Sequence, residues 1–203
     1  MVYRFIKSML DRVFSIAALL ILSPLLIIIF GLAWFRIGLP VFFTQQRPGH
    51  RGEPFGLLKF RTMTNQRDAN GELLPDAQRL TPFGRWLRSS SIDELPGLLN
   101  ILRGEMSFIG PRPLLMQYLP LYSLEQARRH YVKPGFSGWA QINGRNAITW
   151  EEKFRLDIWY VDNQSFWLDV RIFVITIWKV LRREGISAPG ESTVTYFKGS
   201  SNV

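Results

Sequence analysis

A chain of 203 residues with 47% apolar and 14% aromatic side chains can bury one sizeable core, with room for an appendage. A net charge of +9 and a pI near 10.2 point to anionic partners, namely phosphorylated metabolites, acidic lipid head groups or nucleic acid. The absence of cysteine excludes thiol catalysis, disulfides and thiolate metal sites, and the two histidines, His50 and His130, are too few for a multi-histidine zinc centre. Carboxylates, lysines and arginines are left to carry any chemistry.

Residues 13–35, VFSIAALLILSPLLIIIFGLAWF, contain no charge. At ~1.5 Å per residue a helix of this length covers a hydrocarbon core of ~30 Å. The run is too long for a removable signal peptide and lacks its small-residue cleavage site. Hydropathy alone favours a single transmembrane span. Two features pull the other way. Ser23-Pro24 stands at the centre, where proline removes a backbone bond and kinks a helix. Basic residues stand on both sides, Arg4, Lys7 and Arg12 before and Arg36 after, which draws both ends toward the cytoplasm. A kinked hairpin that enters and leaves by one face satisfies both features, and the sequence permits either path.

Beyond the apolar run, β-like segments are expected at 41–44 and 55–60, separated by Pro-Gly turns. Residues 64–84 are polar, broken by Asn-Gly and Pro, and read as an extended loop. Leu95, Leu98, Leu99 and Leu102 recur at i, i+3, i+4 and i+7, giving a short amphipathic helix closed by Gly104. MSFIGPRPLL then runs from a short strand into a stiff Gly-Pro-Arg-Pro turn, 117–131 reads as helix, and KPGFSGWAQINGRN as a glycine-rich loop. Trp150, Phe154, Ile158 and Val161 mark a further helical face. In the last helix, 166–183, Phe166, Val170, Phe173, Val174, Ile177, Trp178 and Leu181 share one wide arc. Asp169, Arg171, Thr176, Lys179, Arg182 and Arg183 fall on the other side. Such a face suits either a helix lying in a membrane interface or one covering the protein's own core. The tail after Gly190 is expected to be only partly ordered.

The stretch SSSIDELPG places Asp93 and Glu94 just before a proline. Proline is tolerated in the first helical turn, where its missing N–H has no partner. If Asp93 is the N-cap, Pro96 sits at N3 without cost; if Ser91 is the cap, in a Ser-x-x-Glu box, Pro96 forfeits a bond. Either way the carboxylates stand at a helix start, where free N–H groups and the dipole favour an ionised Asp93 and an approaching phosphate. An acidic cap is commonplace, so position alone does not separate a cap from a reagent. The surroundings add weight: Arg85 and Arg88 lie upstream, Lys59 ends an apolar run, and Arg112 is clamped between Pro111 and Pro113. An arginine with so few conformations open to it is preorganised for an anion.

KFRTM, RDANGELLPDAQRLTPFGRWLRSSSIDELPGLLNILRGEMSFIGPRPLL, KPGFSGWAQINGRN and SFWLDV together resemble the bacterial sugar transferases that act on polyprenyl phosphate, and more narrowly the small monotopic phosphoglycosyl transferases of the bacillosamine type. The resemblance covers nearly the whole chain, and motifs of this length in this order are highly specific. One departure is Gly97, where members of the family often carry glutamine.

The resemblance implies an α+β, membrane-associated protein with three parts: a re-entrant membrane helix hairpin at 1–37 bent at Ser23 and Pro24, a catalytic domain at 38–190 with interfacial amphipathic helices and short β-strands, and a tail at 191–203. It places that domain at the cytoplasmic face of the bacterial inner membrane. The implied reaction moves a sugar 1-phosphate from a UDP-sugar to polyprenyl phosphate with Mg²⁺, opening glycan assembly. By position, Asp93 is similar to the family's nucleophile and Glu94 to its metal-binding partner, while Lys59, Arg88 and Arg112 match phosphate-contacting residues. Gln141, Arg145, Asp157 and Asp169 match positions assigned to nucleotide-sugar binding. The implied partners are the UDP-sugar, polyprenyl phosphate and membrane lipid, without nucleic acid. A transferase that moves the sugar alone and leaves UDP is the nearest rival. The alternative from another class is a basic, membrane-anchored binding protein for anionic lipid or nucleic acid, which accounts for the charge but not for the clamped arginine.

Overall fold

In the computed structural model, which describes residues 2–144, 148–182 and 196–199, the uncharged run lies within one helix, α1, Val2–Ile37. By length and composition α1 suffices to cross a membrane, and its most apolar window is only 11% buried. Its solvation pattern is inverted relative to a helix on a water-soluble core. Leu20, Ile21 and Phe35 are 69%, 76% and 85% exposed, whereas Lys7, Asp11 and Ser15 are buried. Apolar side chains this exposed over so many turns are matched by a lipid environment rather than by water.

α1 continues through Ser23-Pro24 without interruption. Pro24 has no N–H to give to the carbonyl four residues back, that of Leu20. The Ser23 hydroxyl donates to that same carbonyl at 2.8 Å. The pair therefore satisfies the acceptor that the proline would leave orphaned, which matters most where water cannot do so. Asp11 accepts from the Phe108 N–H, and the Ser15 hydroxyl donates to the Leu98 carbonyl at 2.7 Å.

The remaining elements follow in chain order. Strands β1, Phe42–Pro48, and β2, Pro54–Phe60, pair as a two-stranded sheet joined by a 3₁₀ turn, His50–Gly52. Short helices α2, Asp76–Arg79, and α3, Pro82–Ser89, precede a 3₁₀ turn, Ile92–Gly97, which leads into α4, Leu98–Arg103. Strand β3, Ser107–Ile109, pairs in parallel with β4, Gly135–Ser137, in the register Ser107↔Gly135 and Ile109↔Ser137. Between them lie a 3₁₀ turn, Met116–Leu121, helix α5, Leu124–Ala127, and a second 3₁₀ turn, Arg128–Tyr131. Helices α6, Trp139–Ile142, α7, Trp150–Asn163, and α8, Phe166–Leu181, complete the described structure.

Contacts divide the chain into two compact units, Met1–Arg12 with Gln46–Phe55 and Ile101–Val203, and Val13–Gln45 with Gly56–Asn100. These units follow spatial contacts and cut the chain differently from the 1–37, 38–190 and 191–203 division. The first has one core of Ile109, Val132, Ile142, Tyr160, Val161 and Ile172, and another of Tyr118, Phe154 and Phe197. The second packs Ile29, Ala33, Val41, Phe60 and Leu87 together.

Several expectations are corrected. Residues 117–131 do not form one helix: Pro120 sits inside a 3₁₀ turn, and a capping box between Ser123 and Gln126 starts α5 afresh. The polar loop contains α2 and bridges Met63 to Leu80 and Arg67 to Leu73, and the glycine-rich loop supplies β4 and α6. Phe197, in the tail after Gly190, is 4% exposed among aromatic rings, and most of that tail lies outside the described residues. On α8 the predicted apolar arc is real but faces outward. Phe166, Phe173, Val174, Ile177 and Trp178 are exposed, while Ile172 and Asp169 are buried. Thr176 and Lys179, on the polar side, bond to Ser137 and to the Ile142 carbonyl. That orientation favours the interfacial reading of α8 over the core-covering one; Arg183 of the same predicted helix lies outside the described residues.

His130 is buried against Gly49, whose carbonyl lies 3.2 Å from Nδ1. Burial, then the neighbouring Arg129 charge, lowers its pKa from 6.5 to about 4. The unfolded chain therefore binds one more proton between those values, so stability falls as pH drops from about 6.5 toward about 4, by on the order of 3 kcal/mol. Melting curves across that window should show this slope in the wild type and a shallower one in His130→Gln. Equal slopes would contradict it.

Candidate active site

The acidic pair is presented by the second unit. Helix α3 is capped by Thr81, whose hydroxyl accepts from the Gly84 N–H at 2.9 Å, with Pro82 in its first turn. Gly84 lies directly on the strand exit, since a Cβ there would stand 1.9 Å from the Thr62 carbonyl oxygen. That close approach lets Arg88 Nε donate to the Thr62 hydroxyl at 3.0 Å. Gly84→Ala should therefore push α3 off Thr62 and cost about 1–3 kcal/mol. Unchanged melting would contradict the packing.

After α3 the chain reverses at Ser91, which adopts a left-handed conformation (φ 57, ψ 14), uncommon for a residue with a side chain. Ser91, not Asp93, is the residue preceding the turn, and its side chain makes no capping bond, so neither capping scheme expected from the sequence holds. Asp93 and Glu94 lie in the first turn of a six-residue 3₁₀ segment. So short a segment carries a small dipole, and charge at the pair is set mainly by side chains. Asp93 is 7% exposed. Glu94 Oε1 accepts from Lys59 Nζ at 2.8 Å, with both side chains largely sheltered.

Lys59 is held in register by Asn100, a residue missed in the sequence. Its amide is fully buried and bonds twice to β2, donating to the Gly56 carbonyl at 2.8 Å and accepting from the Leu58 N–H at 3.0 Å. The available signal was a lone amide inside the leucine-rich run. Arg61, next along from β2, is also buried; its Nη2 donates to the Ile37 carbonyl at 3.0 Å, capping the end of α1.

The other predicted residues belong to the first unit. Arg112 is exposed between the buried Pro111 and Pro113. Its carbonyl accepts from Arg129 Nη2 at 2.8 Å. Gln141 is anchored through Nε2 to the Phe136 carbonyl at 3.4 Å, while its buried Oε1 has no protein partner. Asp157 is bound by Arg129 through Nε at 3.1 Å and Nη2 at 2.7 Å, each residue's side chain 2% exposed. Burial raises the Asp157 pKa, opposed by the Arg129 charge. Asp169 accepts from Tyr3 at 2.6 Å and Tyr160 at 2.7 Å and pairs with Lys7 at 2.6 Å. Both oxygens of Asp169, and Oδ2 of Asp157, are thus engaged by the protein itself. Arg145 lies outside the described residues.

A buried carboxylate beside a lysine-bound one, on a chain that exposes the long apolar faces of α1 and α8, fits a membrane-associated protein. The chain belongs to the bacterial sugar transferase family, whose sequence pattern matches residues 2–183. It is 56% identical over 198 residues to a Bacillus subtilis protein described as an uncharacterized sugar transferase, EpsL, with 98% of each chain covered. The UDP-glucose:undecaprenyl-phosphate glucose-1-phosphate transferase of Xanthomonas campestris is 40% identical over 188 residues, covering 86% of this chain but 38% of that longer one. The exopolysaccharide production protein ExoY of Sinorhizobium fredii is 38% identical over 190 residues, covering 84% of this chain and 83% of its own.

Proposed function

We propose that the chain transfers a sugar 1-phosphate from a UDP-sugar to polyprenyl phosphate, releasing UMP, at the cytoplasmic face of the bacterial inner membrane. The observation that carries this reading is the Asp93–Glu94 pair, with Asp93 buried and Glu94 held by Lys59 at 2.8 Å. Membership of the sugar transferase family and a relative named for glucose-1-phosphate transfer to undecaprenyl phosphate support the same chemistry.

In the first step an Asp93 carboxylate oxygen attacks the sugar-bearing phosphorus. The bond from that phosphorus to the bridging oxygen breaks, UMP leaves with the electron pair, and an aspartyl phosphosugar remains. In the second step a phosphate oxygen of polyprenyl phosphate attacks the same phosphorus and the Asp93 carboxylate departs, giving a polyprenyl diphosphosugar. One anhydride is exchanged for another of similar energy, so the overall reaction runs close to equilibrium. Arg88, and by resemblance Arg112, stabilise charge spreading over the transferring phosphoryl oxygens. The unpartnered Gln141 Oε1 is an acceptor for a hydroxyl or N–H of the nucleotide-sugar. Asp157 and Asp169 act through the fold, as positioning residues.

Mg²⁺ characteristically takes one or two carboxylates with substrate phosphates and water completing its shell, and Glu94 is a carboxylate of that kind, with Oε1 also accepting from Lys59. Glu94 is the residue to hold it, and the ion would neutralise pyrophosphate charge. In this reading α1, a continuous helix through Pro24, is bent there within the membrane and returns to the face it entered, which keeps Arg4, Arg12 and Arg36 on the cytoplasmic side.

Full-length protein incubated with a panel of UDP-sugars and polyprenyl phosphate should release UMP. Release of UDP would replace this reading with simple glycosyl transfer. The basic-binding-protein alternative requires no nucleotide release at all.

A further inference from the structure

Ser8, Arg12 and Lys133, none of them used in the proposed chemistry, converge at the turn formed by Gly104. The Ser8 hydroxyl accepts from Lys133 Nζ at 3.0 Å and from Arg12 Nη1 at 3.3 Å. Gly104 has φ +83, and a Cβ there would lie 2.7 Å from Arg12 Nη2 and 3.5 Å from Lys133 Nζ. Both cations therefore lean over the same glycine.

Neither has a carboxylate within 4.0 Å among the described residues. The nearby Asp11 is committed elsewhere, accepting from the Phe108 N–H at 3.3 Å and standing 4.0 Å from Lys7. Burial, and then the Arg12 charge, pull the Lys133 ammonium below its ordinary pKa; Asp11 opposes them without restoring it, and Lys7 adds to the lowering. Two like charges packed onto one hydroxyl repel each other unless an anion lies between them. Capping of the preceding helix is a weak explanation, because α4 has six residues and Arg12 Nη1 and Lys133 Nζ donate to a hydroxyl, not to its carbonyls.

The anion's nature follows from the position of Arg12 in the chain. It is the last charged residue before the uncharged run 13–35. On the same stretch of helix Phe5 and Met9 are 70% and 53% exposed. A cation at the mouth of a lipid-facing segment, flanked by exposed apolar side chains, stands at the depth of lipid phosphates. We propose that Ser8, Arg12 and Lys133 bind the headgroup phosphate of an anionic phospholipid, fixing the N-terminal turns of α1 at the membrane surface. The site is separate from the sugar-phosphate chemistry and does not depend on it.

The test uses the full chain in neutral detergent, with melting followed by tryptophan fluorescence as phosphatidylglycerol is added to the micelles. The wild type should melt about 5 °C higher at saturation. Arg12→Gln and Lys133→Gln should each lose at least about half of that increment, and the double variant nearly all of it. Arg12→Lys, which keeps the charge, should retain most of it. Arg155→Gln, a loss of one exposed positive charge on α7, should show the full increment and so control for net charge. Each increment is measured against the same variant without lipid, so a lower starting stability leaves the readout intact. An undiminished increment in the double variant, or none in the wild type, overturns the site. An equal increment from phosphatidylcholine, or from inorganic phosphate at the same concentration, overturns the assignment to an anionic lipid.

Discussion

Asp93→Asn is expected to abolish UMP release, lowering turnover by at least about 10³-fold, while the protein still folds and still partitions with membranes. The substitution keeps shape and volume but removes the anionic oxygen that forms the bond to phosphorus. Asp93 is 7% exposed, and because the amide fills the same volume the variant is expected to fold, which a melting curve checks. Membrane association rests on the exposed apolar faces of α1 and α8, in neither of which Asp93 lies. The covalent route makes a sharper claim, because without any lipid the wild type should exchange labelled UMP into UDP-sugar. Asp93→Asn should lose that exchange together with turnover. Wild-type turnover with lipid but no exchange without it would replace the covalent intermediate by direct displacement. Glu94→Gln separates the roles further: it keeps the nucleophile but weakens the proposed Mg²⁺ site and the Lys59 contact, so a partial loss of turnover that added Mg²⁺ relieves is expected.

What the sequence disclosed depended on the range of the interaction. The apolar arc of α8 was legible at helical spacing, because periodicity is local; its outward orientation was not, because orientation depends on what the polar side touches. Thr176 reaches Ser137 and Lys179 reaches the Ile142 carbonyl, and neither partner can be named from spacing. Pro96 correctly located a turn at the acidic pair. The left-handed Ser91 that shapes it was hidden, since nothing in a serine-rich stretch announces a positive φ. The clamp on Arg112 was readable from its flanking prolines, but the donor to its carbonyl, Arg129, was not. Tyr3 and Asp169 meet across 166 positions, and Asp169 therefore looked like a candidate for ligand binding when its oxygens were already engaged. Polar side chains in family motifs serve the substrate or the scaffold, and only the bond inventory separates the two.

Asp157→Ala should show which of these roles a motif carboxylate can play. Its partner Arg129 lies between the rings of Tyr122 and Phe154, at 5.9 Å and 5.8 Å from their centres, with both members of the ion pair 2% exposed. Removing one partner strands a buried guanidinium, which costs about 3–5 kcal/mol and should lower the melting temperature by roughly 10 °C. Loss of activity in that variant would be uninformative by itself, because an unfolding protein loses everything. The double variant Arg129→Met/Asp157→Leu removes both charges and fills a similar volume, and buried ion pairs replaced this way often return to near wild-type stability. It cannot restore the donor that holds the Arg112 carbonyl at 2.8 Å. The expected outcome is therefore a protein that melts within a few degrees of the wild type yet turns over about 10-fold or more slowly, with kcat falling more than KM rises. Recovery of both stability and kcat would make the pair a scaffold element only and would remove Asp157 from the machinery that positions Arg112.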